Sequence, residues 1–130
     1  PIADICERID GTAIAAWSGT TEPAQAFSDD EDKHSSCEWT AGMLVQVYDG
    51  DIPSRWNTQL SGPGTHTHGE VDGYESLDFG CSANNGGGMS CGGLVRVGTS
   101  VIRINLPLTD PSRFSEFDAL AERIVASLVQ

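Results

Sequence analysis

The clearest hydrophobic pattern lies near the C-terminus, where apolar residues recur every three or four positions. Asp110 is a favourable N-cap residue, and Pro111 suits the first position of a helix. Residues at this spacing share one face of a helix. The apolar face would consist of Phe114, Phe117, Leu120, Ala121, Ile124, Val125 and Leu128. The pattern predicts an amphipathic C-terminal helix that packs on another apolar layer.

A shorter helical pattern runs from Asp4 to Trp17. Gly11 interrupts it, so we predict two helical turns, with Asp10 or Thr12 capping the second. The apolar residues that carry the pattern are Ile2, Ile5, Ile9, Ala13, Ile14 and Trp17. From Ser18 to Ser36 the chain contains glycine, proline and the acidic run 29–32, which predicts a solvated loop.

Apolar and polar residues alternate after Cys37, which predicts one long strand that ends at the sequence Asp49-Gly50-Asp51. Its apolar face would hold Cys37, Trp39, Ala41, Met43, Val45 and Val47. The proline- and glycine-containing residues 50–69 then predict a long connection. We interpret Trp39 as a core residue and Trp56, in this connection, as an aromatic side chain available for binding.

A second strand is predicted from Glu70 to Cys81, with Val71, Leu77, Phe79 and Cys81 on one side. The glycine-rich stretch from Ser82 to Ser90 predicts a loop, because three adjacent glycines do not hold a packed strand.

The register of the next hairpin follows from its apolar residues. If Gly98-Thr99 is a two-residue turn, Val95 pairs with Ile102 and Gly93 with Ile104, so the apolar side chains share one face. A three-residue turn would place Arg103 opposite Val95. We therefore predict the two-residue turn. The whole pattern indicates a single α+β domain over residues 1–130, with an antiparallel sheet packed against an N-terminal helix and the C-terminal helix.

Charge narrows the range of partners. The chain has 7 basic and 19 acidic residues, a formal net charge of −12 at pH 7. Such a chain repels nucleic acid and anionic lipid headgroups, so we expect neither as a partner. No apolar run approaches the roughly 20 residues that a membrane-spanning helix needs.

The four cysteines Cys6, Cys37, Cys81 and Cys91 predict a disulfide framework, because their number is even and none forms a Cys-x-x-Cys pair. Disulfides persist in oxidising compartments, which predicts a secreted or cell-surface protein. Four cysteines allow three connectivities. We favour Cys6–Cys37, which would pin the N-terminal helix to a strand, together with Cys81–Cys91, which would close the glycine-rich loop between two strand ends.

The order of these elements resembles a known family. A cysteine in the first helix (Cys6), the Cys37-Glu38-Trp39 sequence that opens a strand, and the closing helix at 117–128 are similar to actinobacterial secreted lipoprotein domains of unknown function. The resemblance implies a domain held outside the membrane through an upstream lipidated cysteine that these 130 residues lack. It implies no catalytic residues, because the family has none established.

The strongest candidate for a metal-binding site is the segment His66-Thr67-His68-Gly69-Glu70. In a strand, His66, His68 and Glu70 would project to one side. A polar loop with titrating histidines explains the same residues, and we favour it. The acidic run 29–32 with Asp49 and Asp51 could attract calcium, but it lacks the spacing of a calcium-binding loop. We therefore expect no cofactor.

The loop enclosed by Cys81 and Cys91 is the main binding candidate. It presents Asn84, Asn85 and Met89, and a bridge across its base would lower the ordering cost of association. The plain alternative is a hairpin loop stapled for stability. No Gly-x-Ser-x-Gly motif or phosphate loop occurs, so we predict a non-enzymatic binding or accessory domain at the cell envelope with a possible protein partner. Alternatives are a secreted protease inhibitor and a weak metal-binding protein.

Overall fold

A computed structural model of the chain describes residues 4–19, 24–29, 33–39, 43–50, 69–83, 89–108 and 111–129. Within these ranges the strands form one antiparallel sheet in the order β1-β2-β3-β7-β6-β5-β4. The elements are α1 (Ile5–Arg8), α2 (Gly11–Ser18), β1 (Gln25–Asp29), β2 (His34–Glu38), β3 (Leu44–Asp49), β4 (Gly69–Val71), β5 (Tyr74–Ala83), β6 (Met89–Val97), β7 (Ser100–Leu108), a 3₁₀ helix (Pro111–Glu116) and α3 (Phe117–Val129). The predicted antiparallel sheet, C-terminal helix and both disulfides are present, and the sheet dominates the fold.

The N-terminal helical segment is divided at the position that Gly11 predicted. The Asp10 side chain caps α2 by accepting a hydrogen bond from the backbone N–H of Ala13 at 3.3 Å. Ile5, Ile9, Ile14 and Trp17 are buried in the main core. The helices are short, with four residues in α1 and eight in α2, so they are a small part of the structure beside the sheet.

The prediction of a loop over residues 18–36 was wrong, because this range contains β1 and the start of β2. The two strands pair from Gln25 with Glu38 to Asp29 with His34. All five side chains of β1 are exposed. An edge strand with no buried side chain has no apolar alternation, so its pairing with β2 could not be seen in the hydrophobic pattern.

The single strand predicted from Cys37 to Tyr48 is in fact two strands. β2 ends at Glu38, the backbone N–H of Trp39 donates to the carbonyl of Met43 at 2.8 Å, and β3 then pairs Val45 with Cys37. This pairing keeps the apolar residues on one face, and Cys37, Trp39, Met43, Val45 and Val47 are buried as expected. Ala41 lies outside the described residues. The alternation predicted the face correctly and the connectivity wrongly.

The strand predicted from Glu70 to Cys81 is also a hairpin. Val71 pairs with Tyr74 across the two residues Asp72 and Gly73, whose φ angles are 53° and 82°. Positive φ at both turn positions is typical of the Asp-Gly turns that join two strands. The Asp-Gly sequence was therefore a signal for the hairpin that the strand prediction overlooked.

The sequence pattern predicted that Leu77 and Phe79 share one face of the strand. This prediction was wrong. Leu77 pairs with Leu94, and the register shifts between Leu77 and Gly80, which marks an irregularity of the β-bulge kind. Phe79 therefore enters the main core, where its ring stacks on Phe117 with centroids 5.2 Å apart, whereas Leu77 packs on the opposite face of the sheet. One extra residue in a strand reverses the faces beyond it.

The β6–β7 hairpin confirms the predicted register. Val95 pairs with Ile102, Gly93 with Ile104, and Val97 with Ser100 on either side of the two-residue turn. The strand β7 also pairs with β3, from Leu44 with Asn105 to Asp49 with Ser100, so it lies at the centre of the sheet.

The C-terminal helix α3 covers the main apolar face of the sheet. Its buried residues are Phe117, Leu120, Ala121, Ile124 and Val125, as the periodicity predicted. The segment before it is a 3₁₀ helix, whereas an α-helix was predicted to start at Pro111; the proposed cap Asp110 lies outside the described residues.

The opposite face carries a smaller apolar cluster of Leu94 and Val101, with Tyr48 and Leu77 packed beside them. The hydrophobic pattern had predicted no core on this face.

No helix in the described part of the chain has the length and apolar content needed to cross a bilayer.

Candidate functional site

The bridge Cys81–Cys91 joins two residues that lie directly opposite each other in the β5–β6 hairpin. Their Cα atoms are 4.0 Å apart, and the pairing continues past them to Ala83 and Met89. Cys91 is buried and Cys81 is half-buried. The predicted connectivity is confirmed, and the bridge lies two pairs before the end of the hairpin.

Two further features hold this end of the hairpin in place. The strand β6 pairs with β7 on its other side, where Cys91 lies opposite Leu106 and Met89 opposite Leu108. A Cβ atom on Gly92 would overlap the backbone carbonyl of Ile104, so this position requires glycine. The end of the hairpin is therefore fixed by a covalent bridge, by hydrogen-bonded neighbours and by close backbone packing. We call the paired residues 81–83 and 89–91 the stapled hairpin end.

The stapled hairpin end differs from the loop that was predicted between Ser82 and Ser90. Residues 82–83 and 89–90 belong to the strands, because pairing extends to Ala83 opposite Met89. Of the predicted binding residues, Met89 is the first residue of β6, whereas Asn84, Asn85 and Trp56 lie outside the described residues. The strands extend further than predicted, because Ser82, Ser90 and the glycines carry no strand signal.

The other bridge, Cys6–Cys37, has a different setting. It joins α1 to β2 over a sequence separation of 31 residues, with Cα atoms 5.1 Å apart, and Cys37 is fully buried. The bridge therefore belongs to the scaffold.

Of the three predicted metal ligands, only Glu70 lies within the described residues. Glu70 is exposed in β4 and pairs with Glu75 of β5, whereas His66 and His68 lie outside the described residues. Among the residues that the structure describes, no group of three His, Cys, Asp or Glu side chains is placed to hold a metal ion. In the acidic run 29–32, Asp29 is exposed at the end of β1, and the other members lie outside the described ranges.

A cleft lies at the opposite end of the sheet from the stapled hairpin end. Its volume is about 210 Å³, and its lining is apolar apart from two polar residues. The lining residues are Val47, Asp49, Val97, Ser100, Ile102, Leu128 and Val129. The Ser100 hydroxyl donates a hydrogen bond to Asp49 Oδ1 at 3.0 Å. We call this the Asp49 cleft.

From the sequence, Asp49 was predicted to end a strand and was weighed as part of an acidic calcium candidate, and Ser100 was assigned no role. The two residues meet because β3 pairs with β7, although fifty residues of chain lie between these strands. Two apolar residues at the end of the amphipathic pattern, Leu128 and Val129, complete the cleft. The periodicity of α3 was the one sequence signal that placed Leu128 on the sheet side.

Comparison of the chain with protein-family models, with curated proteins and with solved structures finds no match.

Proposed function

We propose that this chain is a non-enzymatic extracellular binding or accessory domain, and that the stapled hairpin end and the residues 84–88 between its strands are its contact surface. The observation that carries the proposal is the bridge between the directly paired residues Cys81 and Cys91, next to residues 84–88. A cross-link at the base of a binding segment lowers the conformational entropy lost on association. Asn84, Asn85 and Met89 supply amide and thioether groups for the contact.

The two disulfides support an oxidising, extracellular location. The proposal extends this location to the cell surface of an actinobacterium, in line with the resemblance to secreted lipoprotein domains. On this proposal an upstream lipid anchor holds the domain at the membrane. In this arrangement the Cys6–Cys37 bridge keeps the N-terminal helical segment attached to the sheet, which gives the domain its proposed α+β character.

The acidity of the chain supports a protein partner at the cell envelope. A net charge of −12 keeps the domain away from anionic lipid and favours partners with a basic contact surface. Rim charges mainly raise association rates, whereas a few buried contacts supply most of the affinity. The stapled hairpin end would supply those central contacts.

The test measures binding of the fluorescently labelled domain to a cell-envelope preparation from an actinobacterium. The double variant Asn84→Ala/Asn85→Ala is compared with Thr99→Ala, which changes an exposed residue in the turn at the other end of β6. We expect binding to weaken roughly tenfold or more in the first variant, the loss typical of a central contact, and to stay unchanged in the second. Equal binding by all three proteins would refute the proposed contact surface.

The claim that the domain is not an enzyme has a separate test. The purified domain is screened with hydrolase substrates, including esters, peptides and glycosides. We expect no turnover above the level of a heat-denatured control. Turnover that a single substitution abolishes would overturn this part of the proposal without bearing on the contact surface.

A further inference from the structure

The strand β1 is the longer of the two edge strands in the described part of the sheet. The order of the strands places β1 at one edge and β4 at the other. β4 has three residues, whereas β1 has five and pairs regularly with β2 along its whole length. Natural proteins often protect an edge strand with a lysine, a proline or a bulge. The sequence of β1, QAFSD, contains neither lysine nor proline, and its register has no shift, so it keeps the geometry that a further strand needs.

The hydrogen bonds between β2 and β3 show in which direction the backbone groups of β2 point. At one end of this pair the N–H of Trp39 donates to the carbonyl of Met43 at 2.8 Å. At the other end the N–H of Asp49 donates to the carbonyl of Lys33 at 2.9 Å. Residues that face each other across an antiparallel pair alternate between hydrogen-bonded and non-hydrogen-bonded. The odd-numbered residues of β2 therefore bond to β3, and its even-numbered residues bond to β1.

The same alternation identifies the backbone groups on the outer edge of β1. Phe27 faces the even-numbered Ser36, so the N–H and C=O groups of Phe27 bond to β2. The N–H and C=O groups of its neighbours Ala26 and Ser28 therefore point away from β2. No described strand lies beyond β1, and all five of its side chains are exposed. The outer edge thus presents two donors and two acceptors in the arrangement with which an added strand pairs.

Phe27 supplies an apolar contact at the centre of this edge. Its side chain is 47% exposed. In an added antiparallel strand, the residue opposite Phe27 would form a non-hydrogen-bonded pair, in which the Cα atoms are about 4.5 Å apart and the side chains are closest. Aromatic and β-branched residues stabilise such cross-strand pairs. Phe27 therefore specifies an aromatic or β-branched residue at the centre of the added strand.

Charge selects the kind of protein that supplies the strand. The sequence continues from the last residue of β1 through the acidic run 29–32, in a chain of net charge −12. The electrostatic field of such a chain attracts basic segments, and this attraction does not depend on any single carboxylate. A second copy of the chain would bring another net charge of −12 to the same edge. The occupant that fits is therefore a basic segment of a different protein.

We propose that the outer edge of β1 accepts an extended basic segment of a partner protein as an additional antiparallel strand. Backbone groups of Ala26 and Ser28 would pair with it, Phe27 would contact its central aromatic or β-branched residue, and its basic residues would lie toward the acidic run. The inference does not depend on the proposed contact surface, because β1 is at one edge of the sheet and the stapled hairpin end belongs to β5 and β6, nearer the other edge.

The probe is the peptide acetyl-Lys-Lys-Thr-Thr-Val-Thr-Thr-amide. With its valine opposite Phe27 in an antiparallel strand, its lysines extend past Asp29 toward the acidic run. Binding to the isotope-labelled domain is followed by NMR titration. We expect the peptide to bind and to slow amide hydrogen exchange at Ala26 and Ser28, while exchange at Phe27, which already bonds to β2, changes little. Absence of binding, or binding that leaves exchange at Ala26 and Ser28 unchanged, would overturn the proposal.

Two methylated peptides separate strand pairing from simple charge attraction. In the proposed pairing the N–H of the threonine after valine donates to β1, whereas the N–H of valine points away from it. We expect an N-methyl group on that threonine to weaken binding about tenfold or more, and an N-methyl group on valine to leave binding unchanged. Equal losses from both methyl groups, or equally tight binding of a peptide with glutamates in place of the lysines, would overturn the proposal.

A pair of variants tests the same edge from the side of the domain. Ser28→Pro removes an N–H that points outward and keeps the bonds between β1 and β2, and proline is tolerated at such edge positions. Its matched control is Ser28→Ala, which keeps the N–H. We expect the first variant to weaken peptide binding about tenfold and the second to bind as the native domain does. Equal binding by both variants would overturn the proposal, and the methylated peptides test the pairing on the native domain should Ser28→Pro not fold.

Sedimentation equilibrium of the domain without peptide tests the competing occupant. We expect a monomer whose Ala26 and Ser28 amides exchange rapidly. A dimer in which these two amides are protected would show that a second copy occupies the edge and would overturn the assignment to a basic partner.

Discussion

The two disulfides of this chain hold different kinds of structure. Cys6–Cys37 joins residues 31 positions apart and fastens a four-residue helix to a strand of the sheet. Cys81–Cys91 joins residues 10 positions apart that already face each other in a long hairpin. The first supplies a contact that local structure would not make, and the second reinforces one that the hydrogen bonds of the sheet already make.

The difference shows that a disulfide can either attach one element of the fold to another or reinforce the end of a hairpin. Around Cys6–Cys37 the neighbouring elements α1, β1 and β2 are short, and β1 is an exposed edge strand. The Cys81–Cys91 bridge lies between strands of ten and nine residues, one of which is also paired with β7. We therefore expect the loss of the first bridge to affect stability most, and the loss of the second to affect mainly the end of one hairpin.

The largest effect is expected for Cys6→Ala/Cys37→Ala. The chain-entropy relation for a separation of 31 residues gives a loss of about 3.7 kcal/mol in the free energy of unfolding. Urea denaturation followed by tryptophan fluorescence measures it. A loss below about 1 kcal/mol would show that packing alone holds α1 on the sheet.

A smaller effect is expected for Cys81→Ala/Cys91→Ala. The same relation for a separation of 10 residues gives about 2.7 kcal/mol. The measured loss should fall below that of the first variant under identical conditions, because the shorter loop restricts the unfolded chain less. The reverse order would contradict the comparison drawn between the two bridges.

Arg113→Ala sharpens the comparison, because it weakens the N-terminal region without touching a cysteine. The Arg113 guanidinium donates to the carbonyls of Ala16 and Trp17 at 2.8 and 2.9 Å and forms an ion pair with Glu116. Truncation leaves the C-terminal carbonyls of α2 without this donor.

We expect Arg113→Ala to lower the free energy of unfolding by about 2 kcal/mol, in the range of hydrogen bonds to charged groups. Arg113→Lys should recover only part of that loss, because a single ammonium nitrogen cannot replace both Nη1, which donates to the two carbonyls, and Nε, which donates to Glu116. Thermal unfolding of the three proteins provides the measurement. If Arg113→Ala and the native protein have the same free energy of unfolding, the hydrogen bonds from Arg113 to α2 are not stabilising.

Most of the elements that could be predicted from sequence have local signals, and the Cys6–Cys37 bridge, predicted across 31 positions, is the exception. The register of β6 and β7 followed from a two-residue turn and the positions of Val95 and Ile102. The buried face of α3 followed from its periodicity, and the bridge Cys81–Cys91 followed from two strand ends close together in sequence. In each case the partners lie within a few residues or one helix of each other.

The features that escaped prediction depend on distant pairing or on a reversal within a pattern. Apolar residues stay on one face across the β2–β3 hairpin, in which Cys37 pairs with Val45. The two strands therefore have the same hydrophobic alternation as one long strand. The irregularity between Leu77 and Gly80 moves Leu77 to the other face of the sheet. No residue type in this segment indicates the irregularity. The Asp49 cleft exists because β3 pairs with β7, a non-sequential pairing that composition and spacing do not encode.

Amide hydrogen exchange of the native protein and the two double-alanine variants is the most direct test of the division between the bridges. After correction for the change in global stability, loss of Cys6–Cys37 should reduce protection in α1, β1 and β2 and leave the β5–β6 pairs protected. Loss of Cys81–Cys91 should reduce protection near residues 81–83 and 89–91 and leave β1 and β2 unchanged. Uniform loss of protection across the sheet in both variants would contradict the account.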